Sequence, residues 1–225
     1  KGKRPEDFGA YLYDIPEIGA VNEGYTSTVI PGRQGEIITP NGAIPNLPVN
    51  CTLGILNPQF PVLYRSVRQW LSGMGELTFF ELPDSFYQVL RVEHGDVSRE
   101  LRKFGMVNVT FVCIPYEFSK NGKYPIQING NRGIYNPYDT CMPVYKINGE
   151  GMCTLIVNGS QMTANIGQNL TIDTRRMCAY RTDGTVQNTA VTGDYTDLRL
   201  NSGENAISIT DGFNMEVIPF WGWNV

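Results

Sequence analysis

The sequence predicts a mainly β fold in two parts, residues 1–120 with one short helix and residues 121–225 as a β-sandwich or jelly roll. Three observations carry this. Only 18% of the 225 residues are charged, while 24 are Gly, 14 Pro and 12 Tyr, a composition of strands joined by tight turns. Apolar residues recur with period two over most of the chain, and only one segment shows a helical stripe. Asn-Gly and Asp-Gly pairs punctuate the second half between short β-forming runs.

In the first part, residues 8–56 break into short apolar pieces. The run Val29-Ile30-Pro31-Gly32-Arg33-Gln34-Gly35-Glu36-Ile37-Ile38 reads as a loop carried between two strands, and Asn41-Gly42 signals another turn. Pro58-Gln59-Phe60-Pro61 leads into the one helix, Val62–Leu71. There Leu63, Val67, Trp70 and Leu71 make a single stripe, and Gly73 stands just past the end as a left-handed cap. Arg65 and Arg68 fall off that stripe. At about three turns such a helix needs a larger partner to pack on, and a sheet serves. Period two returns with Leu77–Phe80, Phe86–Val92 and, after a polar link 93–103, Met106–Cys113 running on toward Tyr116 and Phe118. The boundary between the parts is expected near 119–124, where Ser, Asn, Gly and Lys cluster.

In the second part, turns are expected at Asn129-Gly130, Asn148-Gly149, Asn158-Gly159, Asp183-Gly184 and Asp211-Gly212. Strands are expected between them at 153–157, 169–173, 197–200, 206–209 and 215–218. Leu170/Ile172, Leu198/Leu200 and Ile207/Ile209 each keep one parity, so each run buries one face.

The same residues exclude several kinds of chemistry. A net charge of −4 supplies no basic surplus for a phosphate backbone, and no 18-residue apolar run spans a bilayer. The opening Lys1-Gly2-Lys3-Arg4-Pro5 lacks a signal-peptide core. Cys51, Cys113, Cys141, Cys153 and Cys178 are odd in number with no short-spaced pair, so they read as small core hydrophobes, with one bridge, Cys141 to Cys153, as the alternative. His94, the only histidine, sits between Glu93 and Asp96 on the polar link and reads as a surface or interface residue. Gly32 and Gly35 lack a phosphate-loop signature, the aspartates lack calcium-loop spacing, and the Asn-x-Ser/Thr matches follow from the richness of turns. No cofactor, metal or catalytic residue is expected. The aromatics remain: Tyr135, Tyr138, Trp221 and Trp223 could stack on a saccharide, or Phe220 and Trp221 could simply pin the last strand into the core.

The order of these features resembles the distal tail protein (Dit) family of long-tailed, non-contractile phages that infect Gram-positive bacteria. Asp7-Phe8-Gly9, Ile30-Pro31-Gly32-Arg33-x-Gly35, the helix ending Trp70-Leu71, Phe86-Tyr87-Gln88-Val89 and Val107–Tyr116 look like that family's first half. Gly193-Asp194-Tyr195, Leu200-Asn201-x-Gly203-Glu204-Asn205 and Pro219-x-Trp221 look like its ending. The resemblance implies an N-terminal ring-forming domain (1–120) and a galectin-like sandwich (121–225). It also implies a homo-hexameric ring, single or stacked in two, in the virion after synthesis in the host cytoplasm. The ring would join the tail tube protein and the tape-measure end to a tail-associated lysin or hub protein, and to receptor-binding proteins. Six-fold closure repeats a heterologous patch, for which Arg33, Tyr64, Arg65, Arg68 and the strand carrying Val107, Val109 and Phe111 are the candidates. The chain has no room for the long second-domain insertion by which some members grip receptor-binding proteins. A structural, non-enzymatic adaptor is the leading expectation. The alternative is a carbohydrate-binding module of an adhesion device, using Tyr135, Tyr138, Trp221 and Trp223.

Overall fold

The computed structural model describes residues 2–56, 60–101 and 104–225, with the side chains of 98–101 outside the description. It is mainly β with one α-helix, in two compact units: Lys1–Thr78 with Tyr87–Tyr116 and Val225, and Phe79–Phe86 with Glu117–Asn224.

The first unit is built on a sheet whose centre is β5 (Leu47–Leu56) beside β8 (Phe104–Ser119), paired from Leu47↔Cys113 to Leu56↔Phe104. Two short strands, β1 (Tyr11–Leu12) and β2 (Glu17–Ile18), cover the outer side of β5. Beyond β8 lies β7 (Ser85–Leu101), and β6 (Gly75–Leu77) pairs with its start. Leu47, Val49, Cys51, Leu53 and Ile55 alternate into the core, while Asn50 and Leu56 face outward. The helix, α1 (Phe60–Trp70), forms where the stripe placed it; its lead-in Pro58-Gln59 lies outside the described residues. Phe60, Val67 and Leu71 pack with Leu53, Ile55, Val107 and Val109, and Phe8 stacks on Trp70 with centroids 4.7 Å apart. Each such fully buried side chain contributes about 1.5–3 kcal/mol of transfer free energy, enough to hold a helix too short to stand alone. Gly73 adopts φ +81°, as a left-handed cap requires.

Two sequence expectations change here. The polar link 93–103 is strand through Leu101, because β7 and β8 form one long hairpin whose charged residues sit at a sheet edge. The central strand β5 was not legible among the Pro and Gly of 8–56, although its odd residues alternate strictly.

Residues 25–40 form a separate two-stranded ribbon, β3 (Tyr25–Thr28) with β4 (Ile37–Pro40), paired Tyr25↔Pro40 through Thr28↔Ile37. Its turn carries Gly32 at φ +85° and Gly35 at φ +81°, the loop between two strands that the sequence predicts.

In the second unit the dominant element is a hairpin of β11 (Val144–Val157) and β12 (Ser160–Asp173), which follow β9 (Ile126–Ile128) and β10 (Asn131–Asn136). Its turn is Asn158-Gly159 with both φ positive, at +52° and +91°. β13 (Cys178–Tyr180) and β14 (Val191–Thr192) lie along β12. β15 (Gly203–Ile209) pairs the end of β11 and β16 (Asn214–Ile218) pairs its start, so β11 serves two neighbours on one side. Between those stretches stands Gly149, where a Cβ would come within 2.3 Å of the Phe213 ring. Asn148-Gly149 is therefore no turn but a position inside a strand where the aromatic lies against bare backbone. The expected strand 197–200 is likewise a 3₁₀ turn over Tyr195–Leu198 followed by a single bridge from Leu200 to Cys141. Leu198 and Leu200 are nonetheless fully buried. The last strand, β17 (Gly222–Asn224), pairs with β8. All five cysteines are free, so the Cys141–Cys153 bridge does not form: Cys141 and Cys153 are buried apart from each other as free thiols.

Candidate functional site

In the first unit, Arg33 lies at the tip of the ribbon, exposed, its N–H donating to the Ile30 carbonyl at 3.1 Å. Arg65 and Arg68 project from the outer face of α1, while Tyr64 is half-buried and stacks on Phe60 at 5.9 Å. The three arginines occupy surface positions, with Tyr64 packed partly against the core. Val107 and Val109 do not: at 0% and 2% exposure they lie in the core beneath α1, and Phe111 is half-buried against the same cluster. Strand parity explains the correction. The residues that β8 turns the other way are Asn108 and Thr110, which bond across to β5: the Thr52 hydroxyl donates to Asn108 Oδ1 at 3.2 Å, and that of Thr110 to Asn50 Oδ1 at 2.7 Å.

The sequence reading missed the most unusual surface of this unit. Tyr25 is 62% exposed, Val29 70% and Ile38 62%, with Ile30 and Ile37 also exposed, on a ribbon that pairs with no further strand among the described residues. The available signal was Ile37-Ile38, two adjacent apolar residues that a one-faced strand would not carry. His94 is on β7, half-buried, with Nδ1 enclosed and without a hydrogen-bond partner.

In the second unit the structure gathers three of the four aromatics. The Tyr138 ring lies 5.8 Å from Trp221 and 4.8 Å from Trp223, edge-on to the latter at 87°. Fully buried Asn136 positions it: Asn136 Oδ1 accepts the Tyr138 N–H at 3.0 Å, while Nδ2 donates to the Asp139 and Asn201 carbonyls. The Tyr138 hydroxyl meets Ser119 Oγ at 3.2 Å. The terminal strand is clasped to the same loop, with Asp139 N–H donating to the Gly222 carbonyl and Asn224 N–H to Asp139 Oδ2. Trp221 is half-buried with Nε1 enclosed and unpaired, and Trp223 is 43% exposed. Tyr135 is 61% exposed on β10, opposite Glu204. Trp221 and Tyr138 thus act first as a staple for β17, and of the three clustered rings Trp223 is the exposed one.

Among the described residues, no three His, Cys, Asp or Glu side chains cluster to hold a metal ion, and no helix is long and apolar enough to cross a membrane. Burial pushes the Cys51 thiol up to about 11 and those of Cys113 and Cys141 up to about 12, the character of core residues rather than nucleophiles.

Neither protein-family models nor curated proteins match the sequence. Among solved structures, the chain is similar to the crystal structure of Dit (gp 19.1) of phage SPP1, described as a paradigm of the hub adsorption apparatus in phages that infect Gram-positive bacteria. The likeness has a TM-score of 0.61 and covers 92% of this chain and 90% of that one, at 13% identity. The chain therefore shares the Dit-like fold over nearly its whole length.

Proposed function

We propose that the chain is a structural subunit of a phage tail tip, in which six copies close into a ring joining the tail tube to the host-adsorption apparatus. The shared fold with SPP1 Dit across nine-tenths of both chains carries this reading. Fold alone is a weak guide to function, so the surface matters too. An unpartnered ribbon bearing Tyr25, Val29 and Ile38 in solvent is what a subunit of a closed assembly would carry. On this reading residues 1–120 form the ring, residues 121–225 make an outward galectin-like sandwich, and the protein carries no enzymatic activity. Tail tube, tape-measure end and hub or lysin are its neighbours in the virion, with receptor-binding proteins docking further out. The work per subunit is geometric: holding a channel open and presenting two docking faces.

A second reading rests on Trp223, an open ring set against Tyr138 beside the Asp139 carboxylate. It makes the second unit a saccharide-binding module, which grips sugar rings by stacking.

Light scattering over a concentration series, with negative-stain images of the same fractions, separates the two. A mass of six or twelve times 25.1 kDa with an annular outline is the expected result. A single-copy mass, with retention on host wall polysaccharide that Trp223→Ala abolishes, would overturn it in favour of the binding module.

A further inference from the structure

We infer that the ribbon 25–40 of one copy adds to the outer edge of β7, residues 90–97, of a second copy. The inference deepens the ring reading and rests on it.

The first observation is an open edge. In the sheet of the first unit β1 and β2 close the outer side of β5, whereas at the other side β6 covers β7 only as far as Val89. Among the described residues no strand lies beside 90–97 on that side. A free edge is a template for pairing with another chain, and proteins leave one open where it is used or blunt it with charge. Here Arg91, Glu93 and Asp96 are exposed on it, with Arg91 and Glu93 paired to each other at 2.8 Å.

The second is the ribbon. All eight residues of β3 and β4 are exposed, and a two-stranded hairpin in water is marginal until a third strand completes it. Its root holds itself in place: Gly24 N–H donates to the Ala43 carbonyl at 2.7 Å and Asn41 N–H to the Gly24 carbonyl at 3.0 Å. The ribbon is thus presented rather than frayed.

Their placement selects the occupant. The ribbon follows β2, which belongs to the closed side of the sheet, while the open edge is on the opposite side, with β5 and β8 between. Strands sit about 4.8 Å apart, so edge and ribbon root face away from each other across the sheet. Each copy therefore carries both elements facing apart, which is the condition for a head-to-tail contact that closes into a ring. Lengths agree: strands of four residues meet an edge of eight. Charges agree as well, with Arg33 and Glu36 at the ribbon turn able to answer Asp96 and Arg91.

The test uses the full chain and a variant in which residues 25–40 are replaced by a short Gly-Ser link, checked for unchanged circular dichroism. Native mass and amide hydrogen exchange are measured on both. The full chain is expected to assemble, with exchange at 90–97 at least tenfold slower than in the ribbonless variant, which stays a single copy. A second variant, Thr26→Cys with Glu93→Cys, is expected to give an oxidised ladder of cross-linked copies that neither single substitution gives. Rings that persist without the ribbon, or rings whose 90–97 amides exchange freely, overturn this pairing and leave the ring reading standing. A single-copy mass for the full chain at every concentration overturns both.

Discussion

The Tyr145 hydroxyl, on a side chain with no exposed surface, donates to the Leu198 carbonyl at 2.7 Å across 53 residues of sequence. It ties the hairpin β11–β12 to the 3₁₀ turn Tyr195–Leu198 and gives that turn's buried carbonyl its partner. Tyr145→Phe keeps the ring and strands the carbonyl, which costs about 1–3 kcal/mol. A fall of that size in urea stability, with no loss of strand signal, is expected; an unchanged midpoint would mean that water satisfies Leu198 instead.

Alkaline pH should weaken the fold. Burial raises the Tyr145 phenol well above 10.0, and raises the Cys51 thiol to about 11 and that of Cys141 to about 12 from 9.0. Well below pH 9 these groups are protonated in both states and contribute no pH dependence. As pH rises past 9 and then 10, the unfolded chain releases protons that the folded chain retains, so stability falls. Melting temperatures measured from pH 8 to 11 should decline across that window. A flat profile would contradict the burial.

Thiol chemistry gives an independent check. Cys51, Cys113, Cys141 and Cys153 are buried, while Cys178 is half-exposed and least enclosed, though burial and the neighbouring Asp173 also raise it. A thiol-specific reagent at pH 8 should label Cys178 alone and slowly in the native protein, and all five after denaturation. Rapid labelling of two or more native thiols would show that the cores open.

Gly222 sits where β17 meets β8. A Cβ there would lie 1.9 Å from the Glu117 carbonyl oxygen, a backbone atom that has no rotamer to retreat into. Gly222→Ala should push β17 away, losing the Asp139 bond to the Gly222 carbonyl and loosening Tyr138 from the two tryptophans. Overpacking of this kind costs about 1–3 kcal/mol. Tryptophan fluorescence should shift to the red, and native-like emission in the variant would show that the terminus is held by other contacts.

The sequence alone determined what depends on neighbours along the chain. The stripe from Leu63 to Leu71 with Gly73 marks the helix, Asn158-Gly159 marks a left-handed turn, and the parity of Val107, Val109 and Cys113 marks a buried strand face. Each follows from a local preference or a period, which any chain with those residues would express. What only tertiary structure decided depends on residues far apart in sequence. Parity showed that Val107 and Val109 share a face but not that α1 covers it, so they were placed on an interface when they belong to the core. Asn148-Gly149 has the letters of a turn, yet both residues pair across to β12 and the strand runs on, with Phe213 lying where a Gly149 Cβ would be. Glu93 and Asp96 read as a polar loop because charge in a sequence marks solvent, and a sheet edge is solvent too. The ribbon's Tyr25 and Ile38 carry no local mark of exposure, since whether an apolar strand residue meets a core depends on what the fold sets beside it.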